Sequence, residues 1–329
     1  MSFLGFRPKP ADYVKSLSTA LHLIAANKDA KAVEKGVKDS AKAINSLKIL
    51  LYGDAENEPS KDALPQIVNE IITTDTLTLM MTYLESLEFE ARKNCTTVFN
   101  ALVHREPTNE LVIRHILEHP EIIRVMLVDF QKSKIALSLG SMFRECIRSQ
   151  ALAKLAIEMP EFSYLFRYVE LENFELASDA FTSFKDILTR HKQMVSEYLQ
   201  THYNSFFDNY AALLSSANYA TRRQSVKLLS DLLFDRPNYF TMMRYIGDTA
   251  NLRRIMTLLR DPSKAIQFEA FHVFKVFVMN PEKPEQIVEV LRKNKEKLIP
   301  FLTEFQNDRT EDKQFIEEKG LLLEEIKKL

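Results

Sequence analysis

Tryptophan is absent from the 329 residues, glycine occurs six times and cysteine twice. Each shortage excludes something. Six scattered glycines build neither a Gly-x-Gly-x-x-Gly turn nor a phosphate-cradling P-loop, so the nucleotide sites that need them are excluded. No Gly-x-Ser-x-Gly nucleophile elbow occurs. Cys95 and Cys146 lie far apart, each within an apolar helical pattern. Two such residues make no disulfide framework, suit a reducing compartment, and read as small buried hydrophobes. An excess of one charge is missing too: 44 basic residues face 45 acidic ones, a formal net of -1. A dedicated nucleic-acid binder shows a strongly basic face instead. No apolar run reaches the ~18 residues of a membrane span. The opening MSFLGFRPKPADYV has no long apolar core, so it does not read as a secretory signal. Together these features imply a cytoplasmic protein.

What is present is helix. About 46% of residues are hydrophobic, enough to fill a core. Leu17, Leu21 and Ile24, then Val33 and Val37, then Ile44, Leu47 and Leu51 recur at helical spacing. No stretch alternates over a strand length. Breaks fall at Gly53–Pro59, near Pro107, and at Pro120, Pro160, Pro237, Pro262 and Pro281–Pro284. Asparagines and serines ahead of several runs fit helix N-caps.

An internal repeat organises these helices. Five segments align: FEARKNCTTVFNALV from Phe89, IALSLGSMFRECIR from Ile135, FELASDAFTSFKDIL from Phe174, YATRRQSVKLLSDLL from Tyr219 and IQFEAFHVFKVFVM from Ile266. Their first residues are about 46, 39, 45 and 47 positions apart, the period of armadillo and HEAT repeats. Ten residues after four of them stand Phe99, Phe184, Leu229 and Val276; thirteen after stand Leu102, Ile187, Leu232 and Met279. The Ile135 copy is displaced by about one residue. A single helix pair cannot bury both apolar sides, and stacking copies closes a continuous core. The expected fold is therefore an all-α, armadillo/HEAT-like helical-repeat solenoid. Residues 1–329 should form one elongated domain, with atypical capping helices over about 10–60 and 286–329.

Two strings suggest metal chemistry. HILEH, His115 to His119, matches the inverted zincin pattern, but Pro120 ends the helix at the ligand pair and no third ligand is evident. NDRTEDKQFIEE, Asn307 to Glu318, has the length of an EF-hand loop. Arg309 stands at its third position and Asp312 at its sixth, where the turn needs glycine. No metal site, cofactor or catalytic residue is expected. The remaining signal is charge. Between Ala217 and Lys264, nine basic residues face Asp231, Asp235, Asp248 and Asp261. Arg223 and Lys227 share a helix face, with Tyr219 and Tyr239 nearby. This composition fits an interaction hot spot as well as it fits a solvated positive face.

The longer strings carry a resemblance. FRYVE (Phe166–Glu170), ASDAFTSFKDILTRH (Ala177–His191), NYATRRQSVKLL (Asn218–Leu229), IQFEAFHVFKVFVMNPEK (Ile266–Lys283) and FQNDRTEDKQF (Phe305–Phe315) resemble the calcium-binding protein 39 family, also called the Mo-twenty-five scaffold family. RECIR (Arg144–Arg148) and LYGDAENEP (Leu51–Pro59) fit as well. The likeness spans essentially the whole chain, strongest after residue 140 and weakest from about 104 to 135.

The resemblance implies a curved armadillo-like rod without catalytic activity. It implies a scaffold that binds and allosterically activates Ste20-related protein kinases and STRAD-type pseudokinases, in animals together with the upstream liver kinase. In fungi the family serves kinase pathways of cell shape and separation. By position, Phe174, Tyr219, Arg223 and Lys227 match the concave face that meets the kinase-like domain. Arg236 and Tyr239 match contacts to the upstream kinase, with tyrosine where animals have phenylalanine. Met256, Lys293 and Lys297 match a pocket for a Trp-Glu-Phe tail peptide. Ala265 replaces an asparagine of the animal pocket. The alternative class is an armadillo cargo or peptide adaptor. That use relies on tryptophan and asparagine ladders for basic peptides, and this chain lacks tryptophan and is positive where its aromatics lie.

Overall fold

The computed structural model describes residues 8–329. Met1–Arg7, half of the stretch judged not to be a secretory signal, lies outside the described residues. Among the described residues there are nineteen α-helices and no strand. They fall into two compact units, Met1–His191 and Lys192–Leu329.

The first unit holds α1 (Pro10–Ala26), α2 (Ala30–Tyr52), α3 (Ala63–Ile72), α4 (Thr76–Thr82), α5 (Phe89–His104), α6 (Asn109–Glu118), α7 (Glu121–Val128), α8 (Ala136–Cys146), α9 (Gln150–Glu158), α10 (Leu165–Tyr168) and α11 (Phe174–Thr189). Every third helix stacks on the next: α2 on α5, α5 on α8 and α8 on α11. A second row runs α3, α6, α9, while α4 packs on α7. The second unit holds α12 (Lys192–Thr201), α13 (Tyr203–Leu214), α14 (Tyr219–Phe234), α15 (Tyr239–Ile246), α16 (Thr249–Leu258), α17 (Lys264–Met279), α18 (Glu285–Glu304) and α19 (Lys313–Lys328). Here α14 packs on α17 and α17 on α19, with α16 against both α17 and α18. Three helices per repeat at this period is the armadillo arrangement.

The helix starts follow from local chemistry. The first N–H groups of a helix have no partner within it, and a short polar side chain supplies one. Asn173 accepts from the Leu176 amide, Asn218 from Ala220 and Thr221, Asp248 from Ala250, and Asp312 from Phe315. Pro120 stands between α6 and α7, as its missing N–H requires.

Burial corrects the repeat register. The equivalent first positions are Phe89, Lys134, Phe174, Tyr219 and Lys264, spaced 45, 40, 45 and 45 residues. Six residues on, each copy buries a small side chain: Cys95, Gly140, Ala180, Ser225 and Ala270. Thirteen on, each buries a large one: Leu102, Ile147, Ile187, Leu232 and Phe277. The small residues let neighbouring backbones approach, and the large ones fill the space between them. Aligning the second and fifth copies on Ile135 and Ile266 misplaces them, because the first position is exposed and accepts lysine as readily as an aromatic. Consequently Val276 and Met279 are not core: Val276 is half-buried and Met279 is 42% exposed. Phe274 and Phe277 take their places inside.

Ten residues after the first position the core residue is Phe99, Phe184, Leu229 or Phe274, but in the second copy the half-buried Arg144 stands there. Its guanidinium reaches Asp179 Oδ1 at 2.7 Å and Ser183 Oγ at 2.8 Å on α11. Gly140 faces the same carboxylate so closely that a Cβ there would overlap Asp179 Oδ2.

Candidate partner-docking surfaces

One exposed face of α14 carries Tyr219, Arg223 and Lys227 at successive four-residue steps. Tyr219 opens the helix and is 47% exposed. The structure separates the nine basic residues of this stretch into two kinds. Arg222 is spent internally, on Asp261 at 2.9 Å and the Ser216 carbonyl at 2.5 Å. Arg244 lies over the Tyr203 ring, Arg254 donates to Asn251, and Lys264 pairs with Asp308 at 2.6 Å. Arg223, Lys227, Arg236, Arg253 and Arg260 are exposed and have no side-chain partner among the described residues. Arg236 lies in the turn that leads into α15, and Tyr239, the first residue of α15, is half-exposed. Phe174 belongs to the first unit, where it opens α11 behind its Asn173 cap, 70% exposed.

A second surface lies between α16 and α18. Met256, Leu259, Arg260, Asn294, Lys297, Leu298 and Phe301 line a cavity of about 210 Å³. Its walls are apolar and flexible at Met256, while Arg260 and Lys297 stand exposed at its edge. Such a recess takes an aromatic or aliphatic side chain, with cations placed for a neighbouring carboxylate. Of the three pocket residues expected from sequence, Met256 and Lys297 line it. Lys293 does not; it pairs with Glu289 one turn back on α18. Ala265 is not part of the lining either. Arg260, Asn294 and Phe301 were missed. An arginine or lysine spaced along a charged helix gives no sequence signal that separates a pocket rim from a solvated face.

A third feature was also missed. Phe234, Tyr239, Met242, Met243, Val276 and Met279 line a groove of about 390 Å³ between α14, α15 and α17. Methionine-rich apolar grooves adapt to varied side chains. Tyr239 is therefore the edge of a recess and not an isolated exposed ring.

The metal-like strings serve the fold. His115 is 6% exposed on α6, and its ring lies 4.4 Å from that of His119. Burial, with the His119 charge second, lowers the His115 pKa. His119 Nδ1 faces Glu121 at 3.2 Å. In the Asn307–Glu318 run, Asp308 pairs with Lys264, Asp312 caps α19, and Glu318 pairs with Lys275 at 2.7 Å. Among the described residues no three His, Cys, Asp or Glu side chains converge as metal ligands. No helix of the described residues is long and apolar enough to cross a membrane. Cys95 and Cys146 are fully buried; burial pushes the Cys95 thiol up to about 12, and burial with the Glu145 charge raises that of Cys146.

Fold and surfaces together define a helical-repeat protein that offers apolar recesses edged by cations. The sequence profile of the family described as Mo25-like matches residues 3–329, and the chain belongs to that family. The human calcium-binding protein 39-like protein is 43% identical over 321 residues, 97% of this chain and 95% of its own. MO25-like protein 2 of Caenorhabditis elegans is 42% identical over 97% of this chain and 96% of its own. The Mo25-like protein of Schizosaccharomyces pombe is 40% identical over the full length of both.

Proposed function

We propose that this chain is a cytoplasmic, non-catalytic scaffold that binds and allosterically activates Ste20-related protein kinases or pseudokinases. Tyr219, Arg223 and Lys227 on α14 meet the kinase-like domain, Phe174 of the first unit is a further contact to it, Arg236 and Tyr239 meet an upstream liver-kinase-like partner, and the α16–α18 recess holds a Trp-Glu-Phe-type tail. The observation that carries the reading is the recess itself. Met256 and Lys297, singled out by family likeness alone, line one cavity of about 210 Å³ together with Phe301 and Arg260. An aromatic tail residue seated against Met256 and Phe301 is worth about 2–4 kcal/mol by truncation. Lys297 and Arg260 supply the partner for the tail's carboxylates. The α14 face does separate work. A scaffold activates a kinase only by binding its active conformer more tightly, and a hundredfold preference needs about 2.7 kcal/mol of differential contact. Arg223 and Lys227, without an ion pair among the described residues, are with Tyr219 a source of such contacts. Holding both sites on one chain raises the effective concentration of the second contact.

The test separates the two sites. Met256→Ala should weaken a Trp-Glu-Phe peptide in a titration and leave the α14 face intact. Phe174→Ala with Arg223→Ala should remove kinase activation and spare peptide binding. Equal loss of peptide binding in both variants would sink the two-site reading.

A further inference from the structure

The first unit has a groove of its own between α5 and α8, of about 460 Å³. Phe89 and Leu137 stand at its edges, 68% and 39% exposed. Arg92, Lys93 and Lys134 line it, and no carboxylate does. These charges are not cancelled nearby. Arg92 donates to the Leu87 carbonyl at 2.6 Å and Lys134 to the Glu85 carbonyl at 2.8 Å, both neutral acceptors. Lys93 is exposed with no ion pair among the described residues. Of the acids nearby, the Glu85 carboxylate faces Lys132 at 3.3 Å, and Glu88 and Glu90 flank Phe89 outside the lining. The rest of the lining is uncharged, with Thr96, Asn100, Ser138 and Ser141 among it, and the Thr96 and Thr97 hydroxyls donate to the Arg92 and Lys93 carbonyls. The repeat register adds an argument that rests on the docking role proposed for α14. Phe89 and Lys93 occupy the positions that Tyr219 and Arg223 hold on α14.

We propose that the α5–α8 groove is a docking site for an acidic protein segment that carries one apolar side chain. The apolar side chain rests against Phe89 and Leu137. Its flanking carboxylates meet Lys93 and Lys134, with Arg92 adding to the field. A basic or uncharged segment leaves three cations desolvated without a counter-charge and is rejected. The site uses none of the second unit's residues and does not require the partner to be a kinase.

The experiment is fluorescence anisotropy on the full chain, with a labelled ten-residue peptide of glutamates around one phenylalanine. The matched probes replace the glutamates by lysines, or the phenylalanine by alanine. The acidic peptide should bind, and increasingly weakly as salt rises. Phe89→Ala should weaken it about tenfold, the loss of one well-seated aromatic contact. Lys93→Glu with Lys134→Glu should abolish it and confer binding of the lysine peptide. All three positions are on the surface, so the variants keep the fold, and circular dichroism checks this. Lys154→Glu on α9, an exposed position that lines none of the recesses described, should change nothing. The proposal is overturned if the acidic peptide fails to bind, if acidic and basic peptides bind alike, or if Lys154→Glu weakens binding while the double reversal does not.

Discussion

Gly140→Ala tests the packing logic of the repeat at its most crowded point. The position lies six residues into the second copy, where each copy has a small residue, and there the glycine faces Asp179. A methyl group cannot coexist with the present Asp179 side chain. Either α8 and α11 separate or Asp179 swings away and abandons Arg144. Arg144 and Asp179 are 23% and 16% exposed, so the abandoned guanidinium stays largely buried. Breaking a buried pair by losing one partner costs about 3–5 kcal/mol. Alanine returns about 0.5–1 kcal/mol of helix propensity over glycine. Partial exposure of the pair trims its value, which leaves a net loss of about 2–4 kcal/mol. In a unit of this size each kcal/mol lowers Tm by about 2–4 °C. Thermal unfolding followed by circular dichroism reads the shift. The decisive control is the same change made on Asp179→Ala, where the clash is gone and Gly140→Ala should be neutral or slightly stabilising. A Gly140→Ala protein as stable as wild type, or an equal loss on both backgrounds, refutes the reasoning.

Other outcomes follow from the same geometry. Phe301→Ala and Arg260→Ala should each weaken the Trp-Glu-Phe peptide as Met256→Ala does, whereas Lys293→Ala should leave the titration almost unchanged. Stability should fall as pH drops below about 6.5, the ordinary histidine value. Burial holds His115 and His272 below it in the folded chain, with the neighbouring His119 or Lys275 charge adding to the effect, so the unfolded chain takes up protons first. His115→Leu should flatten the Tm profile between pH 7 and 5, and an unaltered slope would exclude His115 as its source. Cys95 and Cys146 should resist alkylation in the native protein at pH 8 and react on unfolding, because both thiols are buried and held protonated.

The helices and their period were legible in the sequence because apolar spacing and capping residues are local signals. The register was not. The eye aligns on apolar residues, but the first position of each copy is exposed, and Lys134 and Lys264 share it with Phe89, Phe174 and Tyr219. The same error placed Met279 in the core, where it is instead part of the groove beside Tyr239. Charge was legible only as a total. Whether an arginine is free or spent depends on partners about forty residues away, as with Arg222 and Asp261 or Lys264 and Asp308. Likewise Lys293 and Lys297 look alike along α18, yet one is drawn to Glu289 and the other borders the recess.

The most direct measurement of the scaffold reading is the activity of a purified Ste20-related kinase from the same cell, titrated with this chain. The wild-type chain should raise kinase activity saturably, and Tyr219→Ala with Arg223→Ala should remove the stimulation while Trp-Glu-Phe peptide binding persists. Equal stimulation by wild type and the double variant, or none by wild type with the kinase demonstrably bound, would contradict it.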